Sequence, residues 1–248
     1  MIRKLSFWIC AVAVLLGTAN LDDAHARDVL ITPVDGQLPV LVETVPGLIQ
    51  GDVCTLGNVG APGFAIENFL LPPEIYKLAI DPQNQCTACA MGFQVTSIHM
   101  VLRTSSACEL TVEIDLEDAV FPEEPNCSTP GVVDCASGEY AVSLPAAGLW
   151  DIELPIECGC AFKQYIYMLG IRIVDTSCSD GSVPDLITDA MPRLCANWNN
   201  FGTGWTDLLA FFPTWPGDLL IWADATCCED PVGTPDSSWG AIKSRYDN

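Results

Sequence analysis

Basic residues and histidine are the scarcest chemistry in this chain. Ten Lys and Arg stand against thirty-two Asp and Glu, a net charge of −22, and only two histidines occur. That balance repels phosphate backbones and anionic lipid, so nucleic-acid binding is excluded. Charged residues are 17% of the chain, below the ~25% usual in globular domains. Half the residues are hydrophobic, so a large core under an acidic skin is expected. No G-x-S-x-G elbow, Walker loop or G-x-G-x-x-G fingerprint occurs. Beyond the N-terminus no stretch approaches the ~20 apolar residues of a membrane helix.

What the N-terminus does contain is an export signal. Arg3 and Lys4 precede an apolar run from Leu5 to Gly17, and Ala24-His25-Ala26 forms a small-x-small cleavage site. Residues 1–26 are therefore assigned as a signal peptide. Cys10 lies in mid-run behind the bulky Ile9, which rules against lipidation. Cleavage removes two residues of each charge sign, so −22 is kept, and it leaves His99 as the sole histidine. A Ser-His-Asp triad or a multi-histidine metal site would have to use His99 or do without. Its place among Val95, Ser97 and Val101 reads as a satisfied, partly buried strand residue.

Of thirteen cysteines, twelve remain after cleavage, an even number in an exported chain, which predicts six disulfides. Cys86-x-x-Cys89 and Cys158-x-Cys160 could be read as a four-sulfur zinc site, but thiolate ligands need a reducing compartment. Each of these pairs opens an apolar strand, and Cys227-Cys228 closes another. The three pairs should gather at one end of the fold and bond among themselves. Cys127 with Cys135 and Cys178 with Cys195 are expected as local closures of turn-rich stretches. Elimination leaves Cys54 with Cys108.

The periodicity is that of β-structure. From Cys108 to Glu117 the residues Leu110, Val112, Ile114 and Leu116 alternate with acids and a threonine. Trp150, Ile152, Leu154 and Ile156 alternate in the same way, and Tyr140 to Leu144 should join them through the hairpin-like loop Pro145 to Gly148. Phe93 to Arg103, Tyr165 to Val174 and Leu219 to Ala225 read as central strands, and Glu74 to Ile80 as an edge strand. Thr206 to Phe212 is a short helix candidate. The predicted fold is all-β, an antiparallel, jelly-roll-like sandwich of about eight disulfide-stapled strands. An outer-membrane barrel is set aside because its lipid-facing strands would not carry regular carboxylates. Residues 27–60 read as an irregular lead-in, 61–228 as the sandwich, and 229–248 as a linker and tail.

Two constellations suggest ligands. Trp198, Phe201, Trp205, Phe211, Phe212, Trp215 and Trp222 are interleaved with Asn197, Asn199 and Asn200. Indole faces stack on sugar rings while amides bond hydroxyls, so Trp198, Asn199, Asn200, Trp205 and Trp215 are candidate glycan contacts, with core packing as the alternative. Asp115, Glu117 and Asp118 form an acidic strand end where calcium could take carboxylate oxygens, or which is simply a solvated face. No other cofactor is implied.

The reading is a non-enzymatic, exported, secreted or envelope module in binding or envelope structure. A surface polysaccharide or other envelope component is its expected partner, and no membrane span remains after cleavage. The runner-up is a secreted glycosidase using two carboxylates. In the tail, Trp239, Ile242 and Tyr246 share one helical face behind Ser237. That face either frays or packs back on the domain, or docks on an export or attachment partner.

Overall fold

Alternation along two long strands sets the architecture. A computed structural model describes residues 31–34, 37–43, 53–121 and 127–228. Residues 1–26, read as a signal peptide, and the 229–248 tail lie outside the described residues. In chain order the strands are β1 (Ile31–Pro33), β2 (Val40–Glu43), β3 (Val53–Gly57), β4 (Phe64–Ile66), β5 (Ile75–Ile80), β6 (Gly92–Thr104), β7 (Cys108–Val120) and β8 (Thr129–Ala136). They continue as β9 (Tyr140–Leu144), β10 (Gly148–Pro155), β11 (Ala161–Phe162), β12 (Tyr167–Cys178), β13 (Asp185–Thr188), β14 (Asn197–Asn200), β15 (Trp205–Asp207) and β16 (Ile221–Cys227). Two single-turn helices, α1 (Pro82–Gln85) and α2 (Leu208–Phe211), are capped by Asp81 and Asp207. No helix among the described residues is long and apolar enough to cross a membrane.

The strands form two sheets, and the expected antiparallel, disulfide-stapled sandwich is what they build. The nine-stranded sheet centres on β6, which pairs with β10 and β11 along one edge and with β16 and β13 along the other. The seven-stranded sheet runs β15-β14-β5-β12-β7-β8, with β9 also on β7. Leu110, Val112, Ile114 and Leu116 face Ile98, Met100, Ile152 and Leu154 of the other sheet in one core. Trp150 packs against that core from a half-buried position. A second cluster of Val34, Ala65, Val101, Leu149, Ile187 and Leu220 covers part of the outer face of the nine-stranded sheet.

Several expectations change. The strand segments number sixteen among the described residues, because short pieces borrow hydrogen bonds from the edges of the long strands. For the same reason the lead-in is not irregular throughout: β1 pairs with β4, β3 with β16, and β2 runs parallel to β10. β5 is interior rather than edge, flanked by β12 and β14. β9 and β10 do not form a hairpin, since β9 joins β7 while β10 joins β6 in the opposite sheet. The Pro145 to Gly148 loop therefore crosses between layers.

The disulfide scheme also needs correction. All twelve cysteines from Cys54 onward are bridged, as Cys54–Cys86, Cys89–Cys227, Cys108–Cys178, Cys127–Cys195, Cys135–Cys158 and Cys160–Cys228. Two bridges, Cys89–Cys227 and Cys160–Cys228, lie within the expected end cluster. Cys127 cannot reach Cys135, because β8 runs extended through most of the interval and separates them by roughly 25 Å at ~3.3 Å per residue. Cys108 and Cys178 sit opposite each other in the β7–β12 register, which takes both from their expected partners. β16 brings Cys54 beside Ala225, at the end where Cys86 lies.

Candidate functional site

The aromatic block is mostly packing. Phe69 is the hub, with ring centroids of Tyr76, Phe201, Phe212 and Trp215 at 5.5–6.5 Å. Trp215 and Trp198 are only 2% and 6% exposed. Trp198 donates its indole N–H to the Cys195 carbonyl at 3.2 Å. Asn199 lies opposite Tyr76 on the core-facing side of its sheet, and both ends of its amide are buried without a partner among the described residues. Asn200 accepts the backbone N–H groups of Gly202 and Gly204, which shapes a turn. Trp205 is half-buried, with its ring 5.2 Å from the Lys77 ammonium. These five residues therefore form no exposed stacking platform. Indoles bury too much apolar surface to stay in water when a core is within reach.

The acidic strand end is likewise occupied from within. Lys77 is 1% exposed, and its ammonium bonds Asp115 at 2.7 Å and also Glu117. Burial pushes the Lys77 amine below its ordinary value, while Asp115 pulls it back up. Gly170 of β12 stands between Lys77 and Asp115 in register, and a Cβ there would meet Asp115 Oδ1 at 2.2 Å. The bare glycine thus leaves the space in which the Asp115 carboxylate lies to meet the lysine. Asp118 lies on the other face of β7, exposed to solvent. Two of the three candidate calcium ligands already hold a cation of the protein's own.

Asp189 and Asp218 form a further buried pair that is fully engaged. Asp189 accepts Asn58 Nδ2 and the backbone N–H groups of Met191 and Asp218. Asp218 accepts Asn197 Nδ2 and the Arg193 backbone and guanidinium. This knot ties β13 and β14 to the start of β16.

The remaining constellation lies on the outer face of the nine-stranded sheet and centres on His99. Pairing aligns Glu153 of β10, His99 of β6 and Trp222 of β16 in one cross-strand row. Asp151 and Asp224 stand on the diagonals of that row. His99 is 7% exposed, and its ring stacks on Trp222 at 4.7 Å and 11°. Nδ1 lies 3.1 Å from Asp151 Oδ1, and Nε2 lies 3.5 Å from Asp224 Oδ2 and 3.9 Å from Glu153 Oε1. Burial alone would lower the imidazole pKa, but the bonds and charges of Asp151 and Asp224 outweigh it and raise it to about 9. In return, the His99 hydrogen bond holds the Asp224 carboxyl below its ordinary value.

This arrangement touches two known chemistries. Ser97 Oγ is 3.4 Å from His99 Nε2, so Ser97, His99 and Asp151 are ordered as in a triad. An imidazole held at about 9 is already protonated at neutral pH and cannot accept the serine proton. Glu153 and Asp224 are close enough for a carboxylate pair. A glycosidase uses one protonated acid and one ionised carboxylate, and the lowered Asp224 fits only the ionised member. Strand periodicity puts Asp151 and Glu153 on the face away from Ile152 and Leu154, where the structure finds them 14% and 20% exposed beside a hydrogen-bonded His99. Only the register of three strands could show that they converge. The Trp222-x-Asp224 spacing on a third strand was the one further clue.

The model of a family described as Domain of unknown function (DUF7451) matches residues 67–225. No curated protein matches the sequence. Among solved structures, the cysteine protease and lectin-like domains of Cwp84, a surface layer associated protein of Clostridium difficile, are similar to the chain at a TM-score of 0.44 and 9% identity. That likeness covers 66% of this chain and 33% of the other, so the chain spans a third of that protein's solved length.

Proposed function

The chain belongs to the family described as Domain of unknown function (DUF7451), and for it we propose a non-enzymatic role outside the cytoplasm, in binding or in envelope structure. Export by residues 1–26 would deliver it to an oxidising compartment, and six disulfides suit one. The ligand class is a surface polysaccharide, met on the outer face of the nine-stranded sheet rather than at the buried tryptophans. One observation carries this reading. Around the His99–Trp222 stack three carboxylates stay partly open to solvent, with side-chain exposures of 14% for Asp151, 20% for Glu153 and 30% for Asp224. Carboxylates accept hydroxyl hydrogens, and the half-buried Trp222 beside them offers apolar surface to a sugar ring. The tail would add a second contact by docking its Trp239, Ile242 and Tyr246 face on an attachment partner.

A glycan array probed with residues 27–248 tests the reading. The expected result is selective binding that Trp222→Ala weakens at least tenfold while Trp205→Ala leaves it unchanged. Absence of any selective glycan, or equal loss in both variants, would count against it.

A further inference from the structure

Three donor atoms on the outer sheet face already stand at the spacing of a metal site. His99 Nε2, one Glu153 oxygen and one Asp224 oxygen all lie within 4.8 Å of one another. A tetrahedral centre with ~2.1 Å bonds to nitrogen and oxygen has ligand–ligand edges of about 3.4 Å. The Nε2 to Asp224 Oδ2 separation of 3.5 Å matches that edge, and the 3.9 Å to Glu153 Oε1 needs only a small closure. We propose that His99, Glu153 and Asp224 bind one divalent transition-metal ion of the zinc type, which displaces the Nε2 proton of His99 to solvent, at a site distinct from the acidic end of β7.

His99 and Asp224 are also held from behind. Asp151 accepts from Nδ1, which fixes the ring and turns Nε2 toward the two carboxylates. This carboxylate–histidine pairing commonly backs metal ligands. Thr55 Oγ1 donates to Asp224 Oδ1 at 3.2 Å, leaving Oδ2 as the oxygen that faces Nε2. The His99 ring is fixed further by its stack on Trp222. Glu153 and Asp224 reach solvent, which provides an entry path and leaves a fourth position to water. One imidazole with two carboxylates selects zinc-like ions over calcium, which takes six to eight oxygens. The site shares Glu153 and Asp224 with the surface proposed for a polysaccharide, but it does not rest on that reading, since its test uses no glycan.

The test is calorimetric titration of chelator-treated residues 27–248 with zinc chloride. It is run at ~0.15 M salt, which screens the exposed acidic skin, and with excess magnesium and calcium present. Cobalt(II) absorption serves as a second readout of the ligand field. One saturable equivalent is expected. Glu153→Gln should weaken it at least tenfold, and Asp151→Asn by roughly 10–100-fold with the stoichiometry kept. Asp118→Asn, on the other sheet, should change nothing. Glu153 is partly exposed, so its variant keeps the fold even if His99→Gln does not. No saturable zinc uptake, or uptake that Glu153→Gln leaves unchanged, would overturn the proposal and leave His99 as a plain ion-pair partner.

Discussion

Gly170 lacks a side chain where the Asp115 carboxylate lies against β12 to reach Lys77. Gly170→Ala should destabilise by about 1–3 kcal/mol in urea melts, because the displaced partner is a carboxylate held by a buried lysine. Lys77→Ala should cost more, about 3–5 kcal/mol, since it strands Asp115 and Glu117 without a cation. His99 makes a pH-dependent contribution of the opposite kind. Its folded pKa of about 9 lies above the ordinary 6.5. Its contribution is therefore complete below about 6.5 and is lost as pH rises through about 9. In metal-free protein, the stability difference between wild type and His99→Gln should shrink over that window. A difference that stays flat from pH 6 to 10 would contradict the assigned proton. None of these contacts was legible one residue at a time. Lys77 reads as an ordinary lysine in an apolar strand until the β5–β12–β7 register is known.

Elements were more legible than residues, and length explains why. β6, β7, β10, β12 and β16 lie where the alternating and apolar runs place them, because seven to thirteen residues give period-2 patterning enough repeats. The face assignment along β7 follows from it. Ile114→Ala should cost about 2–5 kcal/mol. Glu113→Ala should cost less than about 1 kcal/mol, since its Arg172 pair lies at the surface. Similar losses in denaturant melts would refute the faces. β14 is not legible from its own residues, because Asn-Trp-Asn-Asn resembles a loop or a ligand surface. Its strand state comes from pairing with β5 and β15 rather than from its own propensity. α2 was found within two residues at its start, since Asp207 caps it and accepts the Ala210 N–H.

Across the whole molecule the bridges join what the sheets leave apart. Cys127–Cys195 links the β7–β8 connection to the segment before β14, and Cys135–Cys158 links the two sheets' strands β8 and β10 through their ends. Sequence spacing favoured local closures because short loops look easiest to seal. The extended strands instead carry neighbouring cysteines far apart and bring distant ones together. Each bridge contributes about 2–4 kcal/mol, so full reduction should unfold the domain at 37 °C by circular dichroism. Truncation after Glu229 should leave the sandwich's melting unchanged while altering cell-fraction location in the native host, if the tail docks as proposed. The most direct measurement is non-reducing peptide mapping of the mature chain recovered from the native host's exported fraction. The account predicts six bridges, including Cys108–Cys178, Cys127–Cys195 and Cys89–Cys227, and an N-terminus at Arg27. Free thiols at these positions, or Cys127 joined to Cys135, would contradict it.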